Sequence, residues 1–464
     1  MPRAERLARR GAAATVGVGL LLATASAQAQ TLTQALAEAY NTNPQLLAQR
    51  ALLRATDEQV PQALAGWRPT VNFTGQVGFQ REGLLTKETV NNVIANTRPN
   101  QVGIQVTQPV YSGGRTVAQT RQATETVEST RAQTLAVETS VFQSVAQAYL
   151  DVVRDQALVE VNRNNEQVLK KQLEATQDRF RVGEVTRTDV AQAESSLAQA
   201  SATLIAAEGT LAQSRANYVR AVGRPPGRLL LPRERPTLPA TREEAQTLAA
   251  HNNFSVISAN FAELAARDNI DVVRGQLLPQ ISIVGNVARQ QDPSITFKGF
   301  LANTGTVMAQ MTMPLYEGGA IYSQTRQAEQ TVGQRRSQVD DARRAAVQTA
   351  TQNWEALKAA RASIVSFAAA VRAAQIALEG TQQEALVGSR TTLDVLIANQ
   401  QLFQTQQQLI TAEHDAAVAE YNIAAAIGRL VAPELHLPVQ LYDMERHFKQ
   451  VRDKWIGFGG GLKE

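Results

Sequence analysis

The side chains best suited to chemistry are two aspartates that lie beyond two Val-Gly pairs. Asp189 follows Val182-Gly183, and Asp394 follows Val387-Gly388, at the same spacing in both places. A carboxylate that faces a narrow opening attracts cations and binds them there. The spacing therefore indicates a pair of equivalent positions where charge could control passage.

The same two aspartates also fit a structural role. Thr186-x-x-Asp189 and Thr391-x-x-Asp394 resemble a helix capping box, in which threonine accepts a hydrogen bond from an unpaired backbone N–H. An aspartate in the first helical turn is further favoured by the helix dipole. The residues leave both hypotheses open, and the two are compatible.

Other kinds of chemistry are not indicated. The chain has no cysteine and four scattered histidines, so we expect no metal site and no cofactor. No Walker loop, dinucleotide fingerprint, HExxH or G-x-S-x-G motif occurs, so we expect no enzyme. Glu413-His414-Asp415 is no triad, because neighbours on a helix diverge by about 100°. A formal charge of +4 is too small to indicate nucleic acid.

The elements that position the two aspartates occur in two copies. Early landmarks repeat at an offset of 210, as in Asn43-Pro44 and Asn253-Phe254, and later ones at an offset of 205. The later offset relates Pro109-Val110-Tyr111-Ser112-Gly113-Gly114 to Pro314-Leu315-Tyr316-Glu317-Gly318-Gly319. A constant spacing between distant landmarks indicates duplication of one long unit.

Each copy begins with a helical pair and continues with alternating strands. Val71, Phe73 and Val77 alternate with polar residues, which is the pattern of a β-strand. About 68 residues without Gly or Pro then follow from Arg115, which predicts a helix of about 100 Å. The sequence therefore predicts a mainly α chain of long antiparallel helices with a small β part.

The predicted organisation has five segments. They are a signal peptide at 1–29, a first repeat at 30–223 (β-hairpin about 70–111, long helices about 115–222), a Pro-rich linker at 224–240, a second repeat at 241–428 (β-hairpin about 280–316, long helices about 320–427) and a C-terminal tail at 429–464, which the family resemblance given below implies is periplasmic.

Export is indicated by residues 1–29. Four arginines precede an apolar run, and Ala27-Gln28-Ala29 supplies a cleavage site. Removing this segment lowers the formal charge from +4 to about +1. We also expect no transmembrane helix in the mature chain, because no later segment has 18 consecutive apolar residues.

Four predicted strands cannot close a barrel, since about eight are needed. Open strand edges in lipid leave backbone groups unpaired at a cost of several kcal/mol each. If the strands face lipid, the chain must oligomerise, with eight strands in a dimer or twelve in a trimer. The alternative is a small soluble sheet packed on the helices.

Together, the duplicated plan, the two Pro-x-Tyr-x-Gly-Gly segments and the two Val-Gly-x(5)-Asp-Val turns resemble the TolC family of outer membrane efflux proteins, in its unlipidated branch. The resemblance implies a homotrimer with a 12-stranded barrel in outer membrane lipid and an α-helical barrel that crosses the periplasm. It also implies a periplasmic adaptor and an inner-membrane transporter as partners. The chain would then be the exit duct of a tripartite efflux pump or type I secretion system.

The resemblance also implies roles for residues at the two Val-Gly turns, which form the periplasmic end of the helical barrel and which we call the tip. Asp189, Arg390 and Asp394 match gate positions, where three copies of Asp394 would form a carboxylate ring. Val182, Gly183, Val387 and Gly388 match positions that contact the adaptor. Ile397 and Ala385 depart from the family pattern, which often has Asp and Tyr there.

A periplasmic coiled-coil scaffold or adaptor without a pore is the competing hypothesis, because long helices with Gln, Thr and Ser faces suit it as well. The resemblance does not distinguish among drugs, metals and secreted proteins as cargo.

Overall fold

A computed structural model describes residues 30–84, 93–232, 235–292 and 299–458. The predicted signal peptide at 1–29 lies outside the described residues. So do 233–234 of the linker and 459–464 of the tail.

The chain is mainly helical, with a small strand portion. Its helices are α1 (Leu32–Thr42), α2 (Pro44–Asp57), α3 (Gln59–Leu64), α4 (Arg115–Arg181), α5 (Arg187–Val222), α6 (Arg242–Asn252), α7 (Phe254–Arg274), α8 (Ala320–Leu386), α9 (Thr392–Ala426) and α10 (Arg446–Val451). Its strands are β1 (Thr70–Val77), β2 (Gln80–Leu84), β3 (Val93–Thr97), β4 (Asn100–Ser112), β5 (Gln280–Gln291) and β6 (Leu301–Thr312).

The break between the first two helices of each copy is made in the same way. The side-chain oxygen Oδ1 of Asn43 accepts the Gln45 N–H at 2.9 Å, and the side-chain Nδ2 of Asn43 donates to Ala221 O at 3.1 Å. Asn253 likewise donates to Ala426 O at 3.0 Å. Each asparagine thus caps the second helix and ties it to the end of that copy's last long helix.

Four strands form one antiparallel sheet in the order β1-β4-β5-β6. Phe73 pairs with Ile104, and Ile104 pairs in turn with Val287 across the boundary between the copies. The short strands β2 and β3 form a separate antiparallel pair beyond β1 and β4, which is more than the four strands expected. Pro99 lies at the interruption, where its missing N–H cannot extend the ladder.

Two glycines lie between the second long strand of each copy and the long helix that follows it. Gly113, Gly114, Gly318 and Gly319 all have positive φ, between 62° and 80°. A Cβ on Gly113 would collide with the Gly275 carbonyl oxygen, so this corner requires glycine. All four long strands meet the helices at the same end of the sheet, because β1 and β5 begin there and β4 and β6 end there.

The largest apolar core lies partway along the long helices, far from both the sheet and the helical turns. Phe142, Tyr149 and Tyr218 are fully buried there against α1. Leu430 and Leu437, from the segment after α9, complete this core. The chain's end is therefore folded back onto the first copy.

Candidate functional site at the two helical turns

The helices α4 and α8 are each followed by a valine, and the chain then turns at a glycine. Gly183 and Gly388 have φ of +81° and +80°, the left-handed conformation that favours glycine. The Glu184 N–H donates to Arg179 O at 2.9 Å, and the Ser389 N–H donates to Glu384 O at 3.0 Å. Both turns therefore satisfy the helix end by the same backbone pattern.

The first turn leads into a complete capping box. The Asp189 N–H donates to Thr186 Oγ1 at 3.3 Å, and Asp189 Oδ2 accepts the Thr186 N–H at 2.8 Å. The Thr186 hydroxyl also donates to that oxygen at 2.7 Å. These hydrogen bonds from the Thr186 hydroxyl and N–H hold the pKa of Asp189 below its usual value.

The second turn repeats this geometry. Asp394 Oδ2 accepts the Thr391 N–H at 2.9 Å and the Thr391 hydroxyl at 2.8 Å. Hydrogen bonds from the Thr391 N–H and hydroxyl lower the pKa of Asp394 as well. Both aspartates are therefore ionised at neutral pH, and each leaves its other carboxylate oxygen without a contact in the cap.

The ion pairs beside the turns have opposite polarity. In the first copy Arg179 Nε, before the turn, donates to Glu184 Oε2 after it at 3.1 Å. In the second copy the order is reversed, and Arg390 Nε, after the turn, donates to Glu384 Oε2 at 2.8 Å. Arg390 therefore bonds Glu384 directly, and it acts on Asp394 only through its charge.

The outermost residues of the tip are apolar and exposed. Val182 is 72% exposed and Val387 is 81% exposed, and Leu386 beside it is similarly uncovered. A Cβ on Gly183 or Gly388 would meet no atom within 4 Å. The tip thus presents apolar side chains and open backbone to whatever approaches it.

The two positions that depart from the family pattern have different surroundings. Ala385 is buried against Leu378 and Val395, so its small side chain completes an apolar cluster. Ile397 is 59% exposed on α9, on the same face as Leu393. An apolar face therefore occupies the place where the family pattern described above often has a second carboxylate.

Above the tip, three pairs of polar side chains join α4 to α9. Gln143 donates to Asn422, Asp151 contacts His414 Nε2, and Asn399 donates to Asn165, each at 2.8 Å. Residue numbers rise along α4 as they fall along α9 by nearly equal steps, so the three pairs hold one antiparallel register. We call this row the polar seam; it connects the first copy to the second.

His414 lies at the centre of the polar seam with both ring nitrogens beside carboxylates. Nε2 is 2.8 Å from Asp151 Oδ1, and Nδ1 is 3.0 Å from Asp415 Oδ1. Burial would raise the pKa of Asp151, but the hydrogen bond from His414 and the charge of Arg154 outweigh it and lower that pKa.

The structure brings together some of the predicted residues and adds others. Asp394 and Arg390 share the second turn, and Asp189 lies at the first, with both carboxylates engaged as caps. Sequence reasoning missed Glu384, although an opposite charge six residues before Arg390 could have indicated it. Within the described residues, no group of three or more His, Asp or Glu side chains could hold a metal ion.

Comparison with known proteins gives consistent matches along the chain. The family described as "Outer membrane efflux protein" matches residues 35–224 and 246–429. The outer membrane efflux protein BepC of Brucella suis is 33% identical over 447 residues, covering 96% of each chain. The outer membrane protein TolC of Vibrio cholerae is 26% identical over 406 residues, covering 85% of this chain and 91% of that protein.

Solved structures share the fold. The outer membrane protein VceC of Vibrio cholerae superposes with a TM-score of 0.73 at 20% identity, covering 86% of this chain and 96% of that one. At that identity the likeness concerns the fold of the chain.

Proposed function

The chain belongs to the outer membrane efflux protein family, and we propose that three copies of it form the exit duct of a tripartite efflux pump or type I secretion system. It is an outer membrane efflux channel that extends into the periplasm. The trimer, the gate residues and the named partners are the proposed part.

The open edges of the sheet carry the proposal of a trimer. β1 and β6 are the two outer strands, and neither has a second neighbour within the described chain. In lipid such edges must be paired, and the edge of one copy can pair only with the opposite edge of the next. Two copies would give eight strands, whose interior is filled by side chains, whereas three give twelve and leave room for a channel.

The outer face of α8 supports the same assembly. Among the described residues, α8 alone has the length and composition of a possible membrane span, with mean hydropathy 1.3 over 18 residues that are not buried at all. Val365 and Ile376 on it are both 71% exposed. α8 runs away from the sheet, from the glycine corner after β6 to the turn at Gly388. Because it therefore leaves the membrane-facing strands behind, we infer that neighbouring copies, and not lipid, cover this face.

We propose that Asp189, Asp394 and Arg390 control passage at the tip. Ionised aspartates from three copies would surround a narrow opening and attract cations. The Arg390–Glu384 pair would set how close Arg390 lies to the carboxylate of Asp394. Ile397 removes one carboxylate from this arrangement, so the ring would have a lower charge density than in relatives with aspartate there.

We further propose that Val182, Gly183, Val387 and Gly388 contact a periplasmic adaptor, and that an inner-membrane transporter docks at the same end. Exposed apolar side chains beside open backbone suit close packing with another helical hairpin. Val387→Asp would place a charge in this contact. It should abolish efflux in cells while the purified channel conducts normally in planar bilayers, whereas efflux at the wild-type level would exclude Val387 from the contact.

The gate is tested by single-channel conductance with two variants of one residue. Asp394→Asn removes the charge and keeps an oxygen that can accept the Thr391 N–H, whereas Asp394→Ala removes both. We expect both variants to conduct more than the wild type and to be blocked less by multivalent cations. A change in Asp394→Ala alone would assign Asp394 to the cap and not to the gate.

Oligomeric state and location test the assembly. Native mass spectrometry of the detergent-extracted protein should give the mass of three chains from the outer membrane fraction. A monomer released with the periplasmic fraction would instead support the coiled-coil scaffold without a pore.

A further inference from the structure

The C-terminal tail follows a fixed path from the central core toward the sheet. The Tyr442 N–H donates to the Tyr40 hydroxyl at 2.9 Å, next to the core on α1. Farther along, His447 Nδ1 lies 3.0 Å from Asp57 Oδ2, whose side chain is fully buried at the end of α2. The tail therefore runs beside α2 in the direction of β1.

Two contacts continue this path beyond α2. Phe448 packs on the cluster formed by Val60 and Val127, with the Arg131 guanidinium 5.1 Å from its ring centre. Val451, at the end of α10, is only 3% exposed. The tail is thus packed along the protein up to residue 451.

Arg68 holds the last described part of the tail. Its Nη1 donates to Lys454 O at 2.7 Å, and its guanidinium lies 5.0 Å from the centre of the Trp455 ring. A hydrogen bond to the backbone together with a cation–π contact fixes both the position and the orientation of Trp455. Arg68 in turn is rigidly placed, because Pro69 and then β1 follow it.

Beyond this clamp the tail changes from packed to exposed. Trp455 is 66% exposed, Ile456 is 90% exposed, and Phe458 is fully exposed. Three large apolar side chains in four residues are thus left uncovered by the described part of the chain, directly after a segment that is closely packed. Such a patch indicates a contact with another apolar phase or surface.

The position of this apolar patch relative to the sheet indicates which apolar surroundings it contacts. β1 begins at Thr70, two residues or about 7 Å of extended chain after Arg68, so the Trp455 ring, which lies on the Arg68 guanidinium, is held beside the start of this strand. The headgroup region on each side of the hydrocarbon core is about 5–8 Å thick. From this position next to the start of β1 we expect Trp455 at the level of the lipid headgroups on the periplasmic side.

The chemistry of the segment fits phospholipid. Tryptophan is enriched at membrane interfaces, where its ring is apolar and its N–H remains hydrated. Arg452, Asp453 and Lys454 precede it and together carry a net positive charge, which favours an anionic headgroup surface. We propose that Trp455, Ile456 and Phe458 form a tail anchor that inserts into the periplasmic phospholipid leaflet of the outer membrane, clamped at that height by Arg68. This rests on the outer membrane location and goes beyond the channel function.

The three tryptophans of the chain provide a direct test and its control. Trp67→Phe/Trp354→Phe leaves Trp455, and Trp67→Phe/Trp455→Phe leaves Trp354, which packs on the apolar cluster of α8 and α9 far from the strands. Each full-length protein is reconstituted into phosphatidylcholine–phosphatidylglycerol vesicles containing lipids brominated near the headgroup or deep in the acyl chain.

We expect shallow bromine to remove about half or more of the Trp455 emission, deep bromine to remove less, and neither to affect Trp354. If Trp455 were quenched no more than Trp354, the anchor would be excluded. A blue-shifted Trp455 emission without quenching would also overturn the proposal, and would assign the patch to a neighbouring copy of the chain.

The clamp is tested in the Trp455-only protein. Arg68→Ala removes the hydrogen bond and the ring contact, so quenching by shallow bromine should fall. Arg446→Ala, which removes an exposed charge on α10, should leave quenching unchanged. Equal quenching in the Arg68→Ala variant and its parent would show that Arg68 does not hold the anchor.

Discussion

The two copies of the repeat have long helices of matching length and different surroundings. α4 and α8 each have 67 residues, and several positions at an offset of 205 are buried in both. These pairs are Val141 and Ala346, Val145 and Ala350, and Val152 and Leu357. Other positions differ: Leu150 is 1% exposed, whereas the equivalent Glu355 side chain is half exposed.

The difference follows from what packs on each helix. α4 contacts α2, α5, α7 and α9, so it is surrounded within the chain. α8 contacts α6, α7 and α9 and leaves Val365 and Ile376 uncovered. Shared glycines and caps determine where each helix turns, and the side chains in between decide which faces are buried within one chain and which remain exposed.

The largest expected effect separates the two helices at equivalent positions. Leu150→Ala leaves a cavity in the central core and should lower the free energy of unfolding by about 2–5 kcal/mol. Glu355→Ala is the matched control and should change it by less than about 0.5 kcal/mol. Denaturant unfolding of the detergent-solubilised protein measures both, and similar losses would contradict the asymmetry.

The polar seam makes a second prediction, because it joins the copies through buried groups. Asn399→Leu leaves the Asn165 amide buried without its partner, at an expected cost of about 1–3 kcal/mol. Asn165→Leu/Asn399→Leu should cost less than the single variant, since no polar group is then left unpaired. A double variant less stable than Asn399→Leu would show that the pair is not coupled. Unfolding in denaturant is again the measurement.

The pH dependence of stability sharpens the role of His414. The folded pKa of Asp151 lies below its unfolded value, so its stabilisation is complete above about pH 4 and is lost as pH falls through the folded pKa. His414→Gln removes the imidazole that helps to lower that pKa, so its stability should fall less steeply below pH 4 than that of the wild type. Parallel thermal melts across pH 2–6 compare the two slopes, and identical slopes would exclude the contact.

A smaller effect tests the likeness of the two turns. Thr186→Ala and Thr391→Ala each remove a capping hydroxyl and should each cost about 1 kcal/mol, confined to the first turn of α5 or α9. Hydrogen exchange at the amides of Asp189 and Asp394 should speed up only in the variant of the same turn. Unequal effects would mean that the two capping boxes have the same geometry but contribute different free energies to stability.

The smallest effect on stability is expected at the ion pairs of reversed polarity. Arg179→Ala and Arg390→Ala remove exposed charges and should leave the melting temperature unchanged. Each arginine acts through its charge on the aspartate of its own turn. Channel conductance should nevertheless respond more to Arg390→Ala, because Arg390 lies after its turn, four residues before Asp394, whereas Arg179 lies before its turn, ten residues before Asp189. Equal conductance in both variants would remove the functional distinction between the turns.

The repeat, the helical class and the turn glycines could be predicted because each depends on residues that are close in sequence. Thr186 and Asp189 lie three residues apart, so their capping geometry is a local property. The strands beyond Gly78 and the partners of Arg390 were missed, since short strands and exposed ion pairs have weak sequence signals.

Contacts between distant segments could not be predicted from pattern alone. Asn165 and Asn399 are 234 residues apart, and nothing local indicates that they share a hydrogen bond. Arg68 and Lys454 are 386 residues apart, and the tail looked only like a periplasmic extension. Such contacts arise when the second copy and the tail fold back on the first, and a single sequence does not contain that pairing explicitly.

The equal lengths of α4 and α8 fix the distance between the sheet and the two turns. At 1.5 Å per residue, 67 residues measure about 100 Å from the glycine corner beneath the sheet to the turn at the tip. Deleting one heptad from α4 alone would raise its turn by about 10 Å relative to that of α8 and would shift the polar seam out of register. A shorter or longer tunnel therefore requires compensating changes in all four long helices, so the reach of the protein can be engineered only in matched steps.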